Sequence, residues 1–200
     1  SSTALGLLID DEKCDLHTRV AEILPAMETD FGDVTFRHFA TMTSGYQAEG
    51  DWPPVNPGYL NGSSATPFSP AAPQFPPGTH FSYWDSAMNQ FGLALTRVAG
   101  ESLESLFEQG IAGSIGMNSS AWNWKEFAEV DGIAVNGGSG NKGKHVEISA
   151  RELTRFGHLM LNRGRWRDRQ LLSETWVDLA TSPQVPAELP LGGPISDQYG

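Results

Sequence analysis

Eight of the chain's 13 prolines fall between residues 46 and 79, among several Gly and Ser. Proline lacks an amide hydrogen and locks φ, so it breaks helices and is confined to the edges of sheets. No long helix and no central strand can run through such a stretch. It also carries the spaced aromatics Trp52, Tyr59, Phe68 and Phe75. A loop of this length inside a compact domain is as a rule functional or disordered. The aromatics favour a packed lid or rim, so we expect residues 46-79 to form one, with regular structure on either side.

On the N-terminal side, Ala4, Leu5, Leu8 and Ile9 make one helical face that stops at Asp10, Asp11 and Glu12. Leu16, Val20, Ile23 and Leu24 predict a second short helix ended by Pro25, and Thr35 caps a third carrying Phe36, Phe39 and Ala40. After the loop the pattern is clean. Met88, Phe91, Leu95 and Val98 follow helical spacing, and Gly100 stands where a C-terminal glycine cap belongs. Leu103, Leu106 and Phe107 predict a short helix. Ile133 to Val135 and Val146 to Ile148 read as short strands around a glycine-rich turn. Ser149 and Glu152 form a capping box ahead of Leu153, Phe156 and Met160, and Ser173 caps a last helix with Trp176 and Val177. The reading is mostly helical, with little strand.

A hydrophobic fraction of 39% supplies a core, and 200 residues suit one domain or a large part of one. The net charge of -11 argues against nucleic acid as a partner, which needs a basic face. The longest aliphatic runs are far below the roughly 20 residues that span a bilayer, so we expect no transmembrane segment. Cys14 is the only cysteine, so no internal disulfide can form.

Three sites compete for chemistry. His17, His38, His80, His145 and His158 include no pair at the i, i+4 spacing that puts two ligands on one helical face, and we expect no metal and no cofactor. Gly138, Gly143 and Lys144 approach a phosphate-binding loop, but His145 stands where Ser or Thr should hold magnesium, and strand-like sequence follows instead of a helix. Ser139 and Lys142 have a nucleophile-and-lysine spacing that works only on a helix, which the surrounding glycines oppose. The third site is Tyr83-Trp84-Asp85, between a loop closed by Pro76, Pro77 and Gly78 and the apolar helix that follows. In an extended segment Tyr83 and Asp85 point the same way. Tyr83 is a general base if a nearby cation lowers its pKa from about 10. The bland alternative makes Tyr83 a core aromatic and Asp85 an N-cap.

The ordered set "ALGLLIDDEKCDL", "VTFRHFATMTSG", "PPGTHFSYWDSAMNQFGLALTRVAG", "IAGSIGM", "ISARELTRFGHLMLNRGRW" and "LLSETW" resembles the serine β-lactamase-related hydrolases: class C β-lactamases, DD-peptidases and related esterases. The resemblance runs over nearly the whole chain. It implies an α+β fold of the β-lactamase/transpeptidase type, of which residues 1-200 form a partial domain, mostly its helical part. It implies a serine nucleophile in Ser-x-x-Lys, a Tyr-x-Asn wall motif and a Lys- or His-containing triplet. Tyr83-Trp84-Asp85 matches the second motif, with Tyr83 as catalytic base or proton relay and Trp84 and Asp85 toward substrate. The first motif is expected before Ser1 and the third beyond Gly200, so the chain reads as a middle fragment. Asp85 stands where the family carries Asn. A carboxylate only accepts hydrogen bonds, whereas Asn also donates, which disfavours anionic, penicillin-like substrates. The implied activity is hydrolysis of a small-molecule ester, amide or peptide through an acyl-enzyme, in an extracytoplasmic compartment. The alternative is a catalytically inactive binding or cell-wall-associated protein on the same fold.

Overall fold

The computed structural model of the chain describes residues 1–51, 68–137 and 145–192. Within them, helix α1 (Ser2–Asp10) is followed by 3₁₀ turns at Val20–Glu22 and Pro25–Met27, then by α2 (Glu28–Phe31) and α3 (Phe36–Ala40). Helices α4 (Asp85–Ala99) and α5 (Leu103–Phe107) come next, the latter running into a π-helical turn at Glu108–Ala112. Strands β1 (Trp122–Trp124), β2 (Ala128–Val130), β3 (Ile133–Val135) and β4 (Val146–Ile148) precede α6 (Ala150–Leu161), the hairpin β5 (Arg165–Trp166) and β6 (Arg169–Gln170), and α7 (Glu174–Ala180). The described strands pair only two by two. The fold is α+β and mostly helical, as expected.

Helix α4 is the hub, packing against α1, α3, α5 and β3. Its apolar face explains why: Phe91, Ala94 and Leu95 are almost fully buried. Phe91 stacks on Phe39 with ring centroids 5.9 Å apart and also meets Phe36. Truncating an aromatic this buried costs about 3–5 kcal/mol. The helix stops as its sequence predicts, at Gly100 with φ 74° and its N–H on Thr96 O at 2.9 Å. Helix α1 lies so close to α7 that a Cβ on Gly6 would stand 2.2 Å from Trp176 Nε1, and only glycine fits there.

Three local expectations are corrected. The helix expected through Leu16 to Leu24 is only a 3₁₀ turn at Val20–Glu22. Arg19 bridges Thr35 and Val20 N donates to Val34 O at 2.8 Å, so a long-range pairing takes the backbone groups a helix would need. Pro25 does not end that stretch; it opens the next turn, where its missing N–H is harmless. The two expected strands form at Ile133–Val135 and Val146–Ile148, but each pairs with a neighbour the sequence did not mark. β3 pairs antiparallel with β2 through the Asp131–Gly132 turn, and β4 pairs with β1. Both turn residues have positive φ, 54° and 76°, which is what a tight primed hairpin turn requires.

The helix caps follow their sequence signals. Ser102, Ser149 and Ser173 accept from the backbone N–H three residues on. Thr35 is capped reciprocally by His38, whose Nδ1 accepts from Thr35 N at 3.2 Å. His38 is held below the ordinary histidine pKa, by burial first and then by Arg37 and His17, which keeps that nitrogen an acceptor.

Candidate active site

The Pro-rich segment is anchored at both described ends. Glu49 N donates to Ser69 O at 2.8 Å, Ala71 N to Gln47 O and Gln74 N to Gly45 O, each at 2.9 Å. The two flanks therefore run as a short antiparallel ribbon, with Tyr46 and Ala48 in the core. Gly45 is obligatory here: its φ is 68° and a Cβ would meet Phe75 O at 2.1 Å. Residues 52 to 67, with Trp52 and Tyr59, lie outside the described residues, as does the glycine-rich stretch with Ser139, Lys142 and Lys144.

From this ribbon the chain climbs to Tyr83 under close control. Gly78 N donates to Thr43 O at 2.8 Å and Ser82 N to Met42 O at 2.9 Å. Phe81 is held on the other side, its N–H on Pro190 O at 2.9 Å and its carbonyl accepting from Gly192 N. Tyr83 itself is half-buried. Trp84 is extended, with φ −141° and ψ 121°. Across an extended residue, neighbours leave the backbone on the side opposite its own side chain. Asp85 already lies in the helix, so the extended backbone on which the sequence argument rests is seen at Trp84 alone.

Two details differ from expectation. Asp85 is not the N-cap; it is the first residue of α4, and Trp84 occupies the cap position without a side-chain cap bond. The α conformation starts one residue early because Trp84, not Asp85, carries the extended dihedrals. Trp84 is also not an open wall. It is 8% exposed, and its indole Nε1 donates to Asp51 Oδ2 at 2.9 Å.

Asp51 is the residue that sequence reasoning misses. It is 9% exposed. Its Oδ2 also accepts from Ala48 N at 2.8 Å, and its Oδ1 accepts from the Ser86 hydroxyl at 2.5 Å. One carboxylate thus joins the ribbon to the two residues on either side of Asp85. Nothing local marks it, since its partners lie 33 and 35 residues along the chain. Below it, Tyr46 has its hydroxyl pKa pushed up by burial and by the charge of Asp51.

A concave feature lined by other residues is an apolar cleft of about 280 Å³, bounded by Ser1, Phe107, Trp122, Trp124, Leu153 and Phe156 among others. Phe107 makes edge contacts with Trp122, Trp124 and Phe156 at centroid distances of 5.3, 6.4 and 5.8 Å. Among the described residues its lining is mostly apolar and includes no acidic or basic side chain. Cys14 is no competing nucleophile, because burial and then Asp15 push its thiol up to about 11. Among the described residues, no three His, Cys, Asp or Glu stand together as metal ligands, and no helix is long and apolar enough to cross a membrane.

The family follows from comparison. The chain matches the beta-lactamase family over residues 1–200 and belongs to it. It resembles the penicillin binding protein of Bacillus halodurans, with 21% identity and a TM-score of 0.64 over 96% of this chain and 64% of that one. It resembles simvastatin synthase from Aspergillus terreus at 19% identity and a TM-score of 0.65, covering 94% of this chain and 56% of that one. It also resembles a family VIII carboxylesterase at 17% identity and a TM-score of 0.65, covering 88% of this chain and 57% of that one. The chain thus spans less than two thirds of the length of each. No curated protein matches it in sequence.

Proposed function

We propose that these 200 residues are the helical part of a serine hydrolase that cleaves an amide or ester bond through an acyl-enzyme. The nucleophile in this reading lies outside the chain, since Ser1 and Ser2 have no lysine three residues on. Tyr83 is the general base or proton relay. The observation that supports the reading is the placement of Tyr83. Hydrogen bonds at Ser82 and Phe81 hold it on one side, and the buried start of α4 holds it on the other. A hydroxyl held between two rigid elements can be aimed at a proton, which is the first requirement of a general base. Asp85, two residues on at the start of α4, sets substrate charge in this reading. In the complete protein, Asp85→Asn shifts preference toward anionic substrates, read as a change in relative kcat/KM for an anionic and a cationic ester. Identical ratios in the two enzymes reject that role.

Fluorophosphonate labelling tests the reading as a whole. The complete protein is labelled at one serine, and that serine precedes Ser1. The 200-residue chain alone is not labelled. Stoichiometric labelling of the isolated chain at any of its own serines would overturn the assignment.

A further inference from the structure

We propose that Asp51 is a positioning residue for Tyr83: its carboxylate clamps Trp84 and Ser86 and so aims the tyrosine lying on the opposite side of the same backbone. The inference rests on the hydrolase reading above and adds to it the device that sets the geometry.

The argument is one of chemistry and placement. Asp51 is nine-tenths buried, and a buried carboxyl group is retained only when donors satisfy it. Its donors Ala48, Trp84 and Ser86 come from two separate parts of the chain. Ala48 N–H is local and shapes the ribbon; the Trp84 indole and the Ser86 hydroxyl are not. They bracket Asp85 and lie one and three residues after Tyr83. Ser86 is fully buried and Trp84 nearly so, so neither donor can swing to water. Bonds to a charged acceptor are shorter and stronger than neutral ones, and two of them converging on one group fix direction as well as distance. Trp84 is extended, so fixing its indole on one side fixes where Tyr83 leaves the backbone on the other. The upstream bonds at Ser82 and Phe81 set the height of the segment, and Asp51 sets its rotation.

The test is a kinetic cycle in the complete protein, with hydrolysis of p-nitrophenyl acetate as the reaction. Asp51→Asn keeps the shape of the side chain but turns an amide NH₂ toward donors. It is expected to lower kcat by roughly 10²-fold, the scale of a misplacement of about 1 Å, with KM moving far less. The double variant Asp51→Asn/Tyr83→Phe is expected to be no slower than Tyr83→Phe alone, because Asp51 acts through the tyrosine. Multiplying losses would overturn the proposal, since Asp51 would then act elsewhere. A folded Asp51→Asn with wild-type kcat would overturn it too, while leaving the hydrolase reading intact. Full activity in Tyr83→Phe would instead overturn the hydrolase reading, and the role of Asp51 with it. Ser86→Ala removes the hydroxyl that donates to Asp51 and leaves the carboxylate in place, so it covers the case in which Asp51→Asn does not fold. It is expected to lower kcat several-fold at unchanged KM, and unchanged kcat would overturn the clamp.

Discussion

Helices α4 and α6 are the two long helices among the described residues, and they are built in opposite ways. The first turns of α4 bury polar groups: Asp85, Ser86, Asn89 and Gln90 are 5%, 0%, 3% and 1% exposed. Helix α6 instead exposes apolar ones, with Leu153 at 54% and Leu161 at 82%. Its start is a plain serine cap, Ser149 Oγ accepting from Glu152 N, whereas α4 starts on Trp84, whose side chain makes no cap bond. A buried polar group costs free energy unless it is satisfied, so a run of four at one helix end marks a place where something other than stability is being organised. An ordinary cap and a half-covered apolar face mark a scaffold. The difference teaches where to look for chemistry: at the start of α4, not on α6.

That contrast can be broken by mutation. The largest effect belongs to Tyr83. Tyr83→Phe in the complete protein keeps the packing and removes the hydroxyl, so kcat falls by roughly 10²- to 10⁴-fold while the melting temperature barely moves. Full activity in a stably folded variant would remove the site from α4. On α6 the expected pattern is reversed. Leu159 is fully buried, and Leu159→Ala should cost about 2–5 kcal/mol in chemical denaturation with kcat per folded molecule unchanged. A loss of kcat in folded protein would show that α6 also serves the site. Ser149→Ala sharpens the comparison at a smaller scale: losing the cap bond should cost about 1 kcal/mol. A change below the precision of a urea titration would mean that tertiary packing, not the cap, starts α6. The smallest effect is expected at Leu161, where Leu161→Gln should move stability by less than about 0.5 kcal/mol. A larger loss would reveal that this exposed side chain is covered in the complete protein.

Much of the chain was determined by the sequence itself, and those parts share a physical cause. The apolar spacing from Met88 to Val98, the glycine at 100 and the serines at 149 and 173 act through neighbours within one or two turns. Their outcome is local, and the structure shows helix or cap at each. The Asp131–Gly132 hairpin is written just as locally, in a turn dipeptide that favours positive φ. Tyr83-Trp84-Asp85 was legible as a triplet at a loop–helix junction.

What only the tertiary structure decided depends on partners distant along the chain. Residues 16 to 24 have a helical apolar pattern, yet Leu16 O, Thr18 O and Val20 N bond to Arg37 N, Phe36 N and Val34 O, a pairing in which Val20 and Val34 are both fully buried. β4 chose β1 rather than β3 in a register no short-range rule contains. Asp51 is one acidic residue in a Pro- and Gly-rich run until folding brings Trp84 and Ser86 onto its two oxygens. Local propensities operate over a few residues, whereas closing a loop of this length is favourable only when a packed core rewards it. The sequence therefore names the tyrosine, and the folded core supplies the carboxylate that holds its segment in place.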